Sequence, residues 1–253
     1  MDKLSREFLD SCRQDNGRIL RGENMTRIET FVDAAFAFAF TMLVISIDEI
    51  PRSPPELFER SKDIPAFIFS ATVIGSLWLA HSNWSRTFGL QDRVTIYLSL
   101  AMVMLMLIFV YPIKLLMQAT VLYISLAIFG TDLFDNGMFQ NEGWANNKVS
   151  DLFIYFGFGL IALSLIIIVF FQNSLRFHEQ LCLNHAEIEW CNRNTVAWAV
   201  VALTAIVSCM VAQYSSAEGV ARAGFVYSSM LITIPVTQSL YFRFFPVVPD
   251  AAD

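Results

Sequence analysis

A carboxylate inside an apolar run is the first residue of this sequence placed to do chemistry. Asp33 stands two residues into the run Phe31–Ile50, with Arg27 just before it. Ionisable groups at membrane depth are costly and tend to mark polar networks or ion paths. One reading makes Asp33 a helix-start residue: a carboxylate suits the positive end of the helix dipole, and Arg27 anchors at lipid headgroups. The other places it in a polar cluster. If successive apolar runs cross a membrane in alternating directions, His81 lies near the end of the second run and Ser99 near the start of the third, both at the depth of Asp33. Three consecutive helices could then be joined by hydrogen bonds, at about 1 kcal/mol each. Trp78 and Trp84 flank His81 as packing or interface aromatics.

Further along the same run, Ala34, Ala35, Ala37 and Ala39 alternate with Phe36, Phe38 and Phe40. Alternation suggests a strand, but a lone apolar run in a bilayer must satisfy its own backbone and is therefore helical. Wound as a helix, Phe38, Thr41, Met42, Ile45 and Glu49 share one stripe at i, i+3, i+4, i+7 and i+11. On spacing alone this stripe reads first as a lipid-facing or packing surface, and second as a pore lining.

The elements that must position these residues follow from composition. Of 253 residues 55% are hydrophobic and 16% charged, with a mean hydropathy of +0.52. Soluble domains carry roughly 25% charged residues, so the chain is expected to be a membrane protein. Disorder is excluded by the high hydrophobicity. With 11 Gly, 8 Pro and 4 Cys the chain is neither collagen-like nor a disulfide scaffold. No strongly basic domain points to nucleic acid. Six runs are long enough to span: Phe31–Ile50, ended by Pro51 and Pro54-Pro55, then Ile64–Trp84, Val94–Ile113, Asp151–Phe171, Thr195–Gln213 and Val220–Leu240. The expected class is an all-α integral membrane protein with six transmembrane helices. Residues 1–30 form a basic amino-terminal segment, 31–243 the membrane domain and 244–253 a short tail.

Eleven Lys and Arg flank the side that holds both termini and five flank the other, so both termini are expected in the cytoplasm. The outer loops are acidic, with Asp48, Glu49, Glu56, Glu59 and Asp63 in the first. Residues 114–150 form the outer connection. Lys114 is expected to snorkel at the outer interface, and Leu115–Phe129 reads as an interfacial or extended helix.

Other constellations carry less. His178, Cys182, His185 and Cys191 are spaced so that the first three share a face if helical, and they are zinc-ligand types. The plainer reading is an amphipathic inner helix with Glu187 and Glu189 on its solvated face. No nucleophile elbow, His-Glu-x-x-His or phosphate-binding loop is present, so no enzyme activity or cofactor is expected. Gly157 and Gly159 form a small-residue packing notch. The four cysteines are expected to stay unpaired. The basic stretch before Arg27 reads first as a topology signal and second as a segment lying on anionic lipid.

Arg27-x-x-x-Phe31-Val32-Asp33, continuing through Thr41-Met42-Leu43-Val44, resembles the first-helix signature of the transmembrane protein 175 family of endosomal and lysosomal potassium channels and their prokaryotic relatives. Trp78-x-x-His81, Asp92 and Tyr111-Pro112 extend the likeness over residues 24–113. Val32 stands in place of the signature serine, Ser99 where an asparagine is common, and Tyr111-Pro112-Ile113 where Pro-Phe is common. The resemblance implies a prokaryotic plasma-membrane cation channel of the single-repeat type, a homotetramer passing K+ among membrane lipids. It assigns Phe38, Met42 and Ile45 to a hydrophobic constriction and Thr41 to the nearby threonine. Glu49, with Asp48, would ring the outer mouth, and Arg27, Asp33, Trp78, His81 and Ser99 would form the cytoplasmic polar network. The sequence has no Thr-Val-Gly-Tyr-Gly filter loop, so a carbonyl-ring filter of that kind is excluded. A different class, a non-conducting membrane effector or sensor on the same scaffold, is the alternative.

Overall fold

The computed structural model describes residues 3–45, 51–130, 148–215 and 221–244. After a short helix α1 (Arg6–Ser11) and a two-residue hairpin, β1 (Gln14–Asp15) and β2 (Arg18–Ile19), the described chain is helical. The longer helices are α2 (Arg27–Ile45), α4 (Ile64–Phe88), α5 (Arg93–Phe129), α6 (Lys148–Arg176) and α8 (His185–Tyr214). Shorter ones are α3 (Pro54–Ser61), α7 (His178–Leu181), α9 (Ala221–Ser228) and α10 (Met230–Phe244). Four of the described helices, α4, α5, α6 and α8, are long and apolar enough to cross a membrane. The protein is an integral membrane protein built from helices.

Local chemistry sets the boundaries. Asp92 caps α5 by accepting from the Val94 N–H, and Asn184 and Glu187 form a reciprocal capping box at the start of α8. Gly89 and Gly130 close α4 and α5 in the left-handed region, where an added Cβ is disfavoured. Pro54 and Pro55 do more than stop the first run. They open α3 behind Ser53, whose side chain accepts from the Glu56 N–H; proline suits the first helical turn because its missing N–H has no helical partner there. Helix α5 runs unbroken through Pro112 to Phe129, so the stretch Leu115–Phe129 continues the third run. At 1.5 Å per residue its 37 residues reach about 55 Å, beyond a hydrocarbon core of about 30 Å. The sixth run is divided into α9 and α10 at Ser229.

The packing order is simple. Helix α2 lies against α4 and α5, α5 against α6, and α6 along α8, which carries α9 and α10. Trp84, Phe88, Phe170, Phe171, Met102 and Met106 fill the core between them. Gly159 lets α6 meet Phe109 of α5, and Gly157 meets Cys209 of α8, as the packing-notch reading requires. The four cysteines are free.

The amino-terminal segment is folded, and Arg21 is buried within it. Its guanidinium grips Glu187 with two bonds, Nη1 to Oε1 at 2.7 Å and Nη2 to Oε2 at 2.9 Å. Glu187 is not on a solvated face: its side chain is 0% exposed. A carboxylate can be buried only when its charge and lone pairs are met, and the partner lies 166 positions away.

Candidate functional site

Helix α2 has two unlike sides. Val32, Phe36, Ala39 and Leu43 are buried, at i, i+4, i+7 and i+11, against α4 and α5. The opposite side carries Phe31, Ala34, Phe38 and Thr41, all exposed. Phe38 is 55% exposed, one of several aromatic rings this membrane chain leaves uncovered. The Thr41 hydroxyl donates to the Phe38 carbonyl at 2.7 Å, which directs its hydrogen back to the helix and leaves oxygen lone pairs facing outward. Met42 is half-buried at the edge of this side. Ile45 ends the helix, its side chain outside the described residues, as are Asp48 and Glu49 altogether.

Behind the exposed face, polar groups fix the helix. The Trp78 indole Nε1 on α4 donates to Asp33 Oδ1 at 2.8 Å. His81, one turn on and buried, has its Nε2 3.5 Å from Ser99 Oγ on α5. Its ring meets Phe170 edge-on, with centroids 5.3 Å apart. So Asp33, Trp78, His81 and Ser99 bridge α2, α4 and α5 as two polar pairs. Arg27 is not drawn into either pair: it stands exposed at the first position of α2.

Sequence reasoning missed several members. Glu29 accepts from the Ser85 hydroxyl on α4, while its Oε2 takes the Thr26 N–H at 2.6 Å. The pattern Thr26-x-x-Glu29 is a capping-box signal that could have found it. Asn173 on α6 donates to Asp92 Oδ1 at 3.1 Å, joining the α5 cap to a third helix. Trp84 Nε1 donates to Ser174 Oγ at 2.8 Å, so this tryptophan is a buried packing residue.

At the other end of α2, Lys114 does not snorkel. It is buried, with Nζ 3.2 Å from the Leu43 carbonyl and 2.9 Å from Asp63 Oδ2. Gln118 Nε2 adds a bond to Asp63 Oδ1 at 2.8 Å. A carboxylate one helix away is a nearer partner for this ammonium than a headgroup, and a cation suits the carbonyl end of a helix.

The zinc-ligand types are not brought together. The helix breaks at Cys182, which takes the left-handed conformation at φ 50°. His178, Cys182 and His185 therefore share no helical face, and no cluster of three metal-ligating residues occurs among the described residues.

The family model of the endosomal/lysosomal potassium channel TMEM175 matches residues 27–112, the stretch from the start of α2 to Pro112. A curated potassium channel of Marivirga tractuosa is 30% identical over 210 residues, covering 82% of this chain and 83% of that protein. The crystal structure of the potassium channel MtTMEM175, a variant bound to a nanobody–MBP fusion protein, superposes with a TM-score of 0.77 at 25% identity. It covers 91% of this chain and 99% of that one. The match begins where the uncovered helix begins and extends through the helices that hold it, and the chain belongs to the TMEM175 family.

Proposed function

We propose that the protein is a potassium channel: a homotetramer of six-helix subunits, with both termini in the cytoplasm and the four α2 helices around the pore. The observation that carries this reading is the uncovered side of α2, Phe31, Ala34, Phe38 and Thr41, on a helix whose other side is tied to α4 and α5. A surface that neither packs within its own subunit nor carries charge is suited to facing a narrow axis. Phe38, Met42 and Ile45 form the constriction, and such an apolar ring gates by size and dewetting. Thr41 oxygens partly replace water around a passing K+. Asp48 and Glu49 concentrate cations at the outer mouth. In this arrangement α2 and the α9–α10 pair complete six spans with α4, α5, α6 and α8. The basic flanks keep the termini inside.

The test is potassium flux from liposomes containing purified protein. Flux is expected from the parent protein, and a Thr41→Cys variant should lose it on treatment with a charged methanethiosulfonate reagent that leaves the parent conducting. Absence of flux from well-folded parent protein overturns the channel reading and favours a non-conducting effector on this scaffold. Unchanged flux from a variant whose introduced thiol is fully modified overturns the pore lining.

A further inference from the structure

We infer that the buried Arg21–Glu187 pair is a positioning device for the pore helix, a clasp on the cytoplasmic side that sets how often the channel is open. The inference rests on the reading of α2 as the pore lining and adds a residue pair outside the membrane-embedded network.

The clasp is the buried centre of a junction between distant parts of the chain, whose rim is the Asn184 Nδ2 bond to the Gly17 carbonyl at 3.0 Å and Arg18 over the Trp190 ring. Besides the two bonds to Glu187, Arg21 donates from Nε to the Leu181 carbonyl at 2.9 Å and from Nη1 to the Ile19 carbonyl at 3.0 Å. Nη2 reaches the Cys182 carbonyl at 3.3 Å. All five guanidinium N–H groups thus have acceptors. Glu187 in turn accepts the Ile19 N–H at 2.8 Å and the Asn184 N–H at 3.0 Å. One ion pair therefore unites the hairpin, the α7–α8 turn and the first turn of α8.

The same stretch of backbone is fastened to the end of α4. Arg21 N–H donates to the Thr87 carbonyl at 3.3 Å, and Gly22 N–H to the Arg86 carbonyl at 3.0 Å. Gly22 crosses Gly89 so closely that a Cβ on Gly22 would collide with the Ser85 carbonyl. Four residues on, Thr26 and Glu29 cap α2, and Glu29 takes the Ser85 hydroxyl. Only this short bridge separates the clasp from the helix that carries Phe38 and Thr41. Adjacent helical residues lie about 100° apart around the axis, so a modest rotation at the start of α2 turns Phe38 towards or away from the pore.

Stability alone is a poor reason for such a pair. Well-packed apolar residues of the same volume often replace a buried ion pair at no loss, whereas directed bonds fix one arrangement. Arginine with a carboxylate also sets orientation, through its planar fork.

The experiment is single-channel recording of Glu187→Gln and Arg21→Lys in planar bilayers, each also carried in the Thr41→Cys background. Glu187→Gln keeps the shape of the site and Arg21→Lys keeps its charge, and each removes the bidentate pairing. The inference expects open probability to change about fivefold or more, with unitary conductance, K+/Na+ permeability ratio and block by thiol modification in the Thr41→Cys background retained. If either fails to fold, the double variant Arg21→Met/Glu187→Leu removes both charges together and is recorded instead, with the same expectation. Open probability within about twofold of the parent, with the thiol-dependent block intact, overturns the clasp and leaves the pore reading standing. Conducting protein in which the Thr41→Cys background shows no block overturns the pore reading itself.

Discussion

At the scale of single residues, Phe38 is the position where the constriction reading is most exposed to test. A ring there is bulkier than a branched aliphatic side chain, and four around an axis leave less room for a hydrated ion. Phe38→Ile is expected to raise unitary conductance or the fraction of time open; equal currents in both proteins would remove Phe38 from the constriction. The residues behind it were legible to different degrees. Asp33, His81 and Ser99 are legible by depth, because alternating spans bring equal depths together, whereas Trp78, a packing or interface aromatic by position, joins the network only through the resemblance. The bonds Trp78–Asp33 and His81–Ser99 lie at that depth. Arg27 is not legible in this way, since spacing says nothing of which way a first-turn side chain points. The burial of Glu187 is not legible in its neighbourhood, because its charge is met by Arg21 and no local pattern couples positions 166 apart.

Elements were easier to read than their ends. Within the described residues, five of the six apolar runs fall in helices that begin or end within a few residues of them, since hydropathy fixes where helix must exist. Boundaries depend on caps. The Asn16-Gly17 turn, with φ of 50° and 78°, is a recognisable hairpin signal inside the basic amino-terminal segment. Pro54-Pro55 had two meanings, stop and start, and the Ser53 cap decides between them. The length of α5 was hidden because Pro112 normally ends a helix, yet neighbouring helices can support a proline in a membrane span. Where small residues set a crossing, the reading can be checked directly. A Cβ at Gly159 would overlap the Phe109 ring, so Gly159→Val should force α5 and α6 apart and destabilise the bundle by about 1–3 kcal/mol. Thermal unfolding in detergent should show a lower midpoint than the parent, and an unchanged midpoint would mean that Phe109 swings clear at no cost.

For the whole molecule, the question is what covers α2. Its buried side and its polar fastenings, at Glu29–Ser85, Trp78–Asp33 and Lys114–Leu43, hold it at the margin of the subunit rather than in the middle. A marginal helix can face lipid, and Phe31 and Phe38 would be at ease there. Thr41 and the small Ala34 lie on the same side, and close approach of like helices favours small and hydroxylated residues. A cyclic assembly brings that side of each subunit to a common axis, and closure then leaves no copy of it uncovered. The chain of 28.7 kDa should accordingly run in mild detergent as a particle carrying about 115 kDa of protein, measurable by native mass spectrometry or light scattering corrected for detergent. Phe38→Asp would place four carboxylates around one axis, where like charges in a dry setting repel strongly, and should shift the particle towards smaller species. If Phe38→Asp stays fully tetrameric, the Phe38 side of α2 is not at the axis. A monomeric parent would leave that side to lipid and remove the basis for a central pore.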